Sequence, residues 1–202
     1  MENNHELGIV GPKLEWPDGS QQVSCFNDLS PANSFLQSVK IGFFTKPFVF
    51  FGVNEVVIPL SRHHIERANW ISFACVLLRG SMVKGIGLMD EGYFMYREDN
   101  DYCRRATEAG WKLLFEPRSR VVHLNKGDSN RSAVKRLPKY YFLSRSRYFI
   151  KYYGRLGLFM ANFCWSLGRS ISLLRELVQR KPKAFHSTMI FDIWQGFFYA
   201  GK

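Results

Sequence analysis

The chain has 202 residues, 46% hydrophobic and 16% aromatic, which is enough apolar material for a core and excludes a disordered, low-complexity polymer. Its formal net charge of +11 is confined to residues 135–202, which hold 13 Lys and Arg against only Glu176 and Asp192, while residues 1–134 are neutral. Such asymmetry points to an anionic partner for the last third: a membrane surface, nucleic acid or a phosphorylated substrate.

The four cysteines, Cys25, Cys75, Cys103 and Cys164, form no Cys-x-x-Cys. That argues against a zinc site or a disulfide framework and fits a reducing cytoplasm, with Cys75 and Cys103 expected as core thiols. The opening MENNHELG lacks a basic and apolar signal pattern. No apolar run approaches the roughly 20 residues of a membrane span.

In chain order, residues 7–14 begin apolar and predict a short strand punctuated by Gly11-Pro12. Pro17-Asp18-Gly19 is a turn: proline presets one φ and glycine permits a positive one. Residues 21–26 alternate and predict a returning strand, and residues 28–33 a loop. The aromatic run 35–51 reads as irregular or helical. His63 and His64 lie in a basic segment with Arg62 and Arg67. Adjacent side chains cannot face the same way on a helix or strand, so an exposed loop pair is expected over a metal site.

Residues 70–79, WISFACVLLR, form a near-continuous apolar run that predicts a buried central strand. Residues 81–85 follow as a turn or short helix. Then comes the densest stretch, MDEGYFMYREDNDYCRRATEAGWK, residues 89–112. It joins Asp90 and Glu91 to the aromatics Tyr93, Phe94 and Tyr96. Glu98, Asp99 and Asp101 follow, then a helix over 102–109 capped by Gly110. Two readings stand for the acidic cluster. Asp99 is an N-cap and Asp101 a first-turn charge facing Arg104 and Arg105; or the cluster is a catalytic carboxylate group presented at a rigid helix start. Short strands are expected at 112–115 and 120–123, around Pro117, with His123 at the strand end.

From Lys139 aromatics interleave with Arg145, Arg147, Lys151 and Arg155. Leu156, Phe159, Phe163, Leu167, Ile171 and Leu174 recur at helical spacing, with Arg155, Arg169 and Arg175 on the opposite face. This tail is either a helix packed through its apolar face, its basic face solvated, or an interfacial helix on anionic lipid. Pro182 is expected to end it, and an apolar helix is expected over 187–199. A nucleic-acid reading of the aromatic and basic tail finds no compact recognition motif, so no nucleic-acid partner is expected.

The ordered motifs Trp70-x-Ser72-x-Ala74, Arg79, Gly87, Asp90-Glu91, Phe94-x-Tyr96-x-Glu98-Asp99-x-Asp101, Arg104 or Arg105, Ala109-Gly110-Trp111, Pro117 and His123 resemble the family 2 glycosyltransferases, especially their rhamnosyltransferase-like bacterial members. The match reaches back to GIVGPKLEWPDGS, residues 8–20, and spans about residues 7–130. Phe73 stands where the family usually has glycine, and Leu88 and Met89 replace Gly-Phe.

The resemblance implies an α/β fold. Residues 1–134 would be the C-terminal, acceptor-side half of a GT-A, Rossmann-like nucleotide-sugar transferase domain, and residues 135–202 a mostly helical basic tail. It implies inverting transfer from a nucleotide-sugar donor to a polysaccharide or lipid-linked acceptor. Asp99 would be the catalytic base beside Glu98; adjacent carboxylates repel, which raises one pKa. Trp70, Asp90, Glu91, Tyr96 and Asp101 would bind substrate, Trp70 and Tyr96 as pocket walls, although each could equally pack in a core and Trp70 favours that. His123 would be a metal ligand or a structural residue. The family's donor-side half, with its metal-gripping Asp-x-Asp, has no counterpart, because Asp99-Asn100-Asp101 occupies the base position. The chain therefore reads as truncated, with a divalent Mg²⁺ or Mn²⁺ expected only together with that half. The alternative is a non-catalytic remnant that binds acceptor or docks on membrane. Either way residues 135–202 would hold it on the anionic inner face of the cell membrane.

Overall fold

A computed structural model describes residues 1–2, 4–39, 56–57, 68–124, 136–182 and 184–199. In chain order they form β1 (Leu7–Glu15), β2 (Gln21–Gln22), β3 (Cys25–Phe26), α1 (Pro31–Val39), β4 (Val56–Val57), β5 (Trp70–Ile71), β6 (Leu77–Leu78), α2 (Gly80–Ile86), α3 (Glu98–Glu108), β7 (Lys112–Val122), α4 (Lys139–Val178) and α5 (Met189–Tyr199). Two compact units interleave in sequence. The first comprises Met1–Asp28, Val56–Gly92 and Arg97–Asn125; the second comprises Leu29–Glu55, Tyr93–Tyr96 and Lys126–Lys202.

The first unit is a mixed α/β body. β1 is the hub of a four-stranded sheet: β7 runs parallel along it, while β2 and β6 pair antiparallel with it. β1 covers the strand expected over residues 7–14 and runs on through the punctuating Gly11-Pro12. The ladder accommodates this by a register shift, Pro12 opposing Glu116 and Lys13 opposing Arg120. Pro117, Arg118 and Ser119 are looped out, which yields the two paired halves expected around Pro117, since proline has no N–H to give a ladder. A second sheet orders β4-β3-β5.

The expected single buried strand over 70–79 is instead two strands. β5 pairs with β3, β6 pairs with β1, and a turn at Phe73–Cys75 separates them. The apolar run is continuous because it serves two sheets. Leu77 is 59% exposed, and Cys75 is only half-buried rather than a core thiol. Cys25 and Cys103 are the buried ones, and burial pushes the Cys25 thiol up to about 11. α3 packs Tyr102, Cys103 and Ala106 onto Ile9, Ile71, Leu113 and Phe115. Each such large apolar side chain contributes about 1.5–3 kcal/mol on full burial. This seam fixes where the acidic start of α3 lies. Gly110, at φ 87°, closes the helix as expected, its N–H reaching the Thr107 carbonyl and that of Trp111 the Ala106 carbonyl.

The second unit is helical. α1 starts inside the stretch expected as loop, because Ser30 and Asn33 cap each other: the Ser30 N–H donates to Asn33 Oδ1 at 2.8 Å and the Asn33 N–H to Ser30 Oγ at 3.2 Å. α4 is broken at Gly154, whose φ of 68° and ψ of −178° are open to glycine. It ends at Val178, ahead of Pro182, with Arg180 left-handed at φ 50°. α5 falls within the expected final helix.

Of the two readings of α4, packing through the apolar face that begins at Leu156 does not hold. Leu156, Phe163, Leu167 and Leu174 are 74, 50, 48 and 65% exposed, whereas Arg169 is 2% exposed. α4 instead turns small and polar residues inward, and α1 approaches it closely. A Cβ on Gly168 would meet Ser38 Oγ and lie 2.7 Å from the Phe35 carbonyl oxygen. Gly168→Ala would gain about 1 kcal/mol of helix propensity. A backbone carbonyl cannot yield as a flexible side chain does, so overpacking, at about 1–3 kcal/mol, wins. Thermal melting of Gly168→Ala should therefore show a lower midpoint; a rise would mean that α1 and α4 separate freely.

Candidate active site

The acidic cluster opens α3. Arg97 precedes it with φ 70° and ψ −5°, and Tyr96 before that has φ 71°. Two consecutive left-handed residues, neither of them glycine, store on the order of 1–3 kcal/mol each, a strain that concentrates at functional sites. The helix begins at Glu98, so Asp99 lies within its first turn and is not the N-cap. Arg97 holds the cap position without a side-chain cap bond.

Asp99 is half-buried and accepts the Asn100 N–H on Oδ1 at 2.8 Å. The backbone of Phe73, in the turn after β5, also bonds to it. Burial, and then the negative charge of Glu98, push its carboxyl up to about 6, while the nearby Arg97 guanidinium opposes the rise. Glu98 keeps Oε2 buried without a hydrogen-bond partner. Asn100, fully buried, has no partner on either Oδ1 or Nδ2. Three unpaired polar atoms at one helix start are expensive to retain in a packed structure.

Asp101 is fully buried and bonded to Arg105 Nε at 3.0 Å. Arg105 also donates to the carbonyls of Ile86 and Leu88 at 2.9 Å each, and its guanidinium lies 4.9 Å from the centre of the Tyr102 ring. Tyr102 in turn donates to the Gly87 carbonyl at 3.0 Å. Together they clamp the 86–88 loop to α3. Spacing alone pointed to the Asp101–Arg105 pair; the loop it holds was not visible without the fold. Arg104 pairs with Glu108.

The other expected residues are dispersed. Asp90 caps its own turn, accepting the Gly92 N–H at 2.9 Å, and Glu91 is exposed. Trp70 is 7% exposed, stacked 4.0 Å from Phe26, its Nε1 donating to the Asn27 carbonyl at 3.0 Å. It packs in the core, the reading the sequence favoured for it, because β5 turns it inward. Tyr96 belongs to the second unit, where it stacks with Tyr140 at 5.9 Å and meets Tyr141 edge-on at 5.4 Å. His123, just after β7, bonds through Nδ1 to Gln22 Oε1 at 3.0 Å and lies parallel to Trp16 at 6.4 Å. Among the described residues no group of three or more His, Cys, Asp or Glu could hold a metal ion. These residues therefore offer His123 as a single candidate ligand and do not make a divalent-ion site of their own. His63 and His64, the aromatic run beyond Val39 and the polar loop after His123 lie outside the described residues.

A carboxylate with raised proton affinity, beside a second carboxylate and on a braced helix start, is suited to taking a proton from a hydroxyl. Comparison with known proteins places sugar transferases around this chain. It is 29% identical over 174 residues to the N-acetylglucosaminyl-diphospho-decaprenol L-rhamnosyltransferase of Mycobacterium tuberculosis, covering 86% of this chain and 54% of that one. It is 32% identical over 98 residues to the rhamnosyltransferase WbbL of Escherichia coli K12, 48% of this chain and 37% of that one. The O-antigen biosynthesis protein RfbC of Myxococcus xanthus is 25% identical over 145 residues, 71% of this chain and 10% of that one. The chain thus spans about half the length of the Mycobacterium tuberculosis rhamnosyltransferase. No family model and no solved structure matches it.

Proposed function

We propose that this chain is the acceptor-side part of a family 2, GT-A-type glycosyltransferase that moves a sugar, of the rhamnosyl class, from a nucleotide-activated donor to a lipid-linked or polysaccharide acceptor with inversion. The observation that carries this reading is Asp99, held near a pKa of 6 at the start of α3. As base it takes the acceptor hydroxyl proton while that oxygen attacks the anomeric carbon and the nucleoside diphosphate departs. Glu98 keeps the proton affinity of Asp99 high. The Asp101–Arg105 clamp acts through position, fixing the 86–88 loop against α3. Asp90 and Glu91, on the loop that follows, are candidates for acceptor contacts. The donor diphosphate is held by another part of the enzyme, since the one Asp-x-Asp here is committed to α3. The Mg²⁺ or Mn²⁺ that the family resemblance implies would find one ligand here, His123. The net charge of +11 carried by residues 135–202 supports a site of action at the inner face of the cell membrane, where a lipid-linked acceptor would be reached.

The test is transfer from a panel of nucleotide sugars to a prenyl-diphosphate-linked acceptor, followed against pH in enzyme that includes the donor-binding half. We expect kcat/KM to rise with pH along a single limb centred near 6, where Asp99 ionises. A rate independent of pH across that range would remove Asp99 from the base role. These 202 residues alone are expected to bind nucleotide sugars only weakly; micromolar binding by calorimetry would contradict that.

A further inference from the structure

Over Leu156–Val178 most of the large apolar side chains of α4 are exposed, while its buried face sets Leu158 and Trp165 among small and polar residues, Ala161, Asn162, Gly168, Arg169, Ser172 and Glu176. The exposed set, including Leu156, Phe163, Leu167, Leu174, Leu177 and Val178, recurs every three or four residues and forms one stripe. The stripe is about 33 Å long at 1.5 Å per residue. The charged residues of this segment, Arg169, Arg175 and Glu176, project away from it by the helical period. A water-facing helix has the opposite arrangement. Small residues allowing close helix approach, with polar groups satisfied between helices, are what an apolar surrounding favours. Asn162, Arg169 and Glu176 on the buried face have partners: Arg145 Nη1 donates to Asn162 Oδ1 at 2.6 Å, and Arg169 to Glu176 at 2.7 and 3.1 Å.

We propose that this stripe lies in the plane of an anionic bilayer, its side chains seated at the headgroup–acyl boundary. The proposal rests on the membrane reading above and deepens it: apolar insertion, and not basic charge alone, holds the protein on lipid. No described helix is long and apolar enough to cross a membrane. Exposed basic residues bracket the stripe, Lys151 and Arg155 before it and Arg180 and Lys181 after it. The segment 135–202 carries the whole net charge of +11, complementary to anionic headgroups. Arg145 and Arg169, two of the basic residues expected at the surface, are buried and unavailable to lipid. Trp194 and Phe197 of α5 extend the apolar face, their rings 5.6 and 6.4 Å from Phe159.

Flotation of the whole chain with phosphatidylglycerol–phosphatidylethanolamine vesicles tests this. Leu167→Asn with Leu174→Asn removes apolar contact without adding charge at exposed positions, so helicity by circular dichroism should not change. Its vesicle affinity should fall at least about tenfold, because burial of each CH₂ is lost. Leu167→Phe with Leu174→Phe should bind like the parent. Raising salt should release the parent only in part, because screening weakens the basic bracket and not the stripe. Equal binding by the Asn pair and the parent would overturn the proposal, as would complete release by salt. A parent that fails to float, but is a dimer that the Asn pair makes monomeric, would assign the face to a second copy and also overturn it. Flotation needs no sugar transfer, so a chain that floats yet never transfers sugar counts only against the transferase reading.

Discussion

In enzyme that includes the donor-binding half, Asp99→Asn is expected to abolish sugar transfer, by on the order of 10²–10⁴ in rate, while donor binding survives. The amide keeps the shape of the side chain and can still accept the Asn100 N–H, but it cannot take a proton at neutral pH. The same variant should be more stable than the parent. Burial and Glu98 raise the folded-state pKa from an ordinary 3.8 to about 6, so the folded protein holds this proton more tightly than the unfolded chain. Asp99 therefore lowers stability as pH rises from about 4 through 6, and the full penalty stands at neutral pH. At about 1.4 kcal/mol per tenfold change in proton affinity, that penalty is on the order of 3 kcal/mol, and asparagine removes it. Stability given up for activity marks a working site, whereas a mere helix-start charge would stabilise the helix and its loss would lower the melting point. Rates and melting curves of Asp99→Asn and Asp101→Asn separate these. If Asp99→Asn stays within about threefold of the parent rate while Asp101→Asn is dead, the base is the wrong carboxylate.

Arg169→Ala should destabilise the second unit by about 3–5 kcal/mol, because it leaves the Glu176 charge buried and unpaired. Glu176 accepts two bonds from Arg169, one from the Ser172 hydroxyl at 3.1 Å and one from the Ala184 N–H at 3.1 Å. Arg169 also lies 5.3 Å from the ring centre of Phe185. The cluster thus ties the connection before α5 back onto α4. Arg169, the hydrogen bonds and its charge hold the Glu176 carboxyl down to about 2. A carboxyl depressed in the folded state stabilises the fold fully above its ordinary 4.5, and that contribution is lost as pH falls from about 4.5 towards 2. The parent melting point should drop across that window, and in Arg169→Ala the drop should be much smaller. A variant that melts like the parent, with the same acid response, would make the cluster a surface pair in solution.

Short-range chemistry was legible in the residues. The helix closed by Gly110, the break in pairing at Pro117 and the Asp101–Arg105 spacing follow from φ limits, a missing N–H and the 3.6-residue period, all local properties. Adjacency in sequence likewise sufficed to anticipate that Glu98 and Asp99 would repel and raise one pKa. The order of motifs across residues 7–130 sufficed to name a sugar-transferase resemblance, and the relatives are rhamnosyltransferases.

What only the tertiary structure decided depends on partners distant in the chain. The run from Trp70 to Arg79 is apolar enough for one buried strand, but β3 and β1 claim different ends of it, and hydrophobicity does not say which edge a strand will pair with. Trp70 became core because β5 turns it inward onto Phe26, a choice of face that a one-residue change of register would reverse. The periodicity of α4 showed two faces and left open which one is buried. Residues far apart settled that: Ser34 and Asn162 receive Arg145, and Gly168 admits α1. A helical period is a property of one segment, whereas burial is a property of what packs against it.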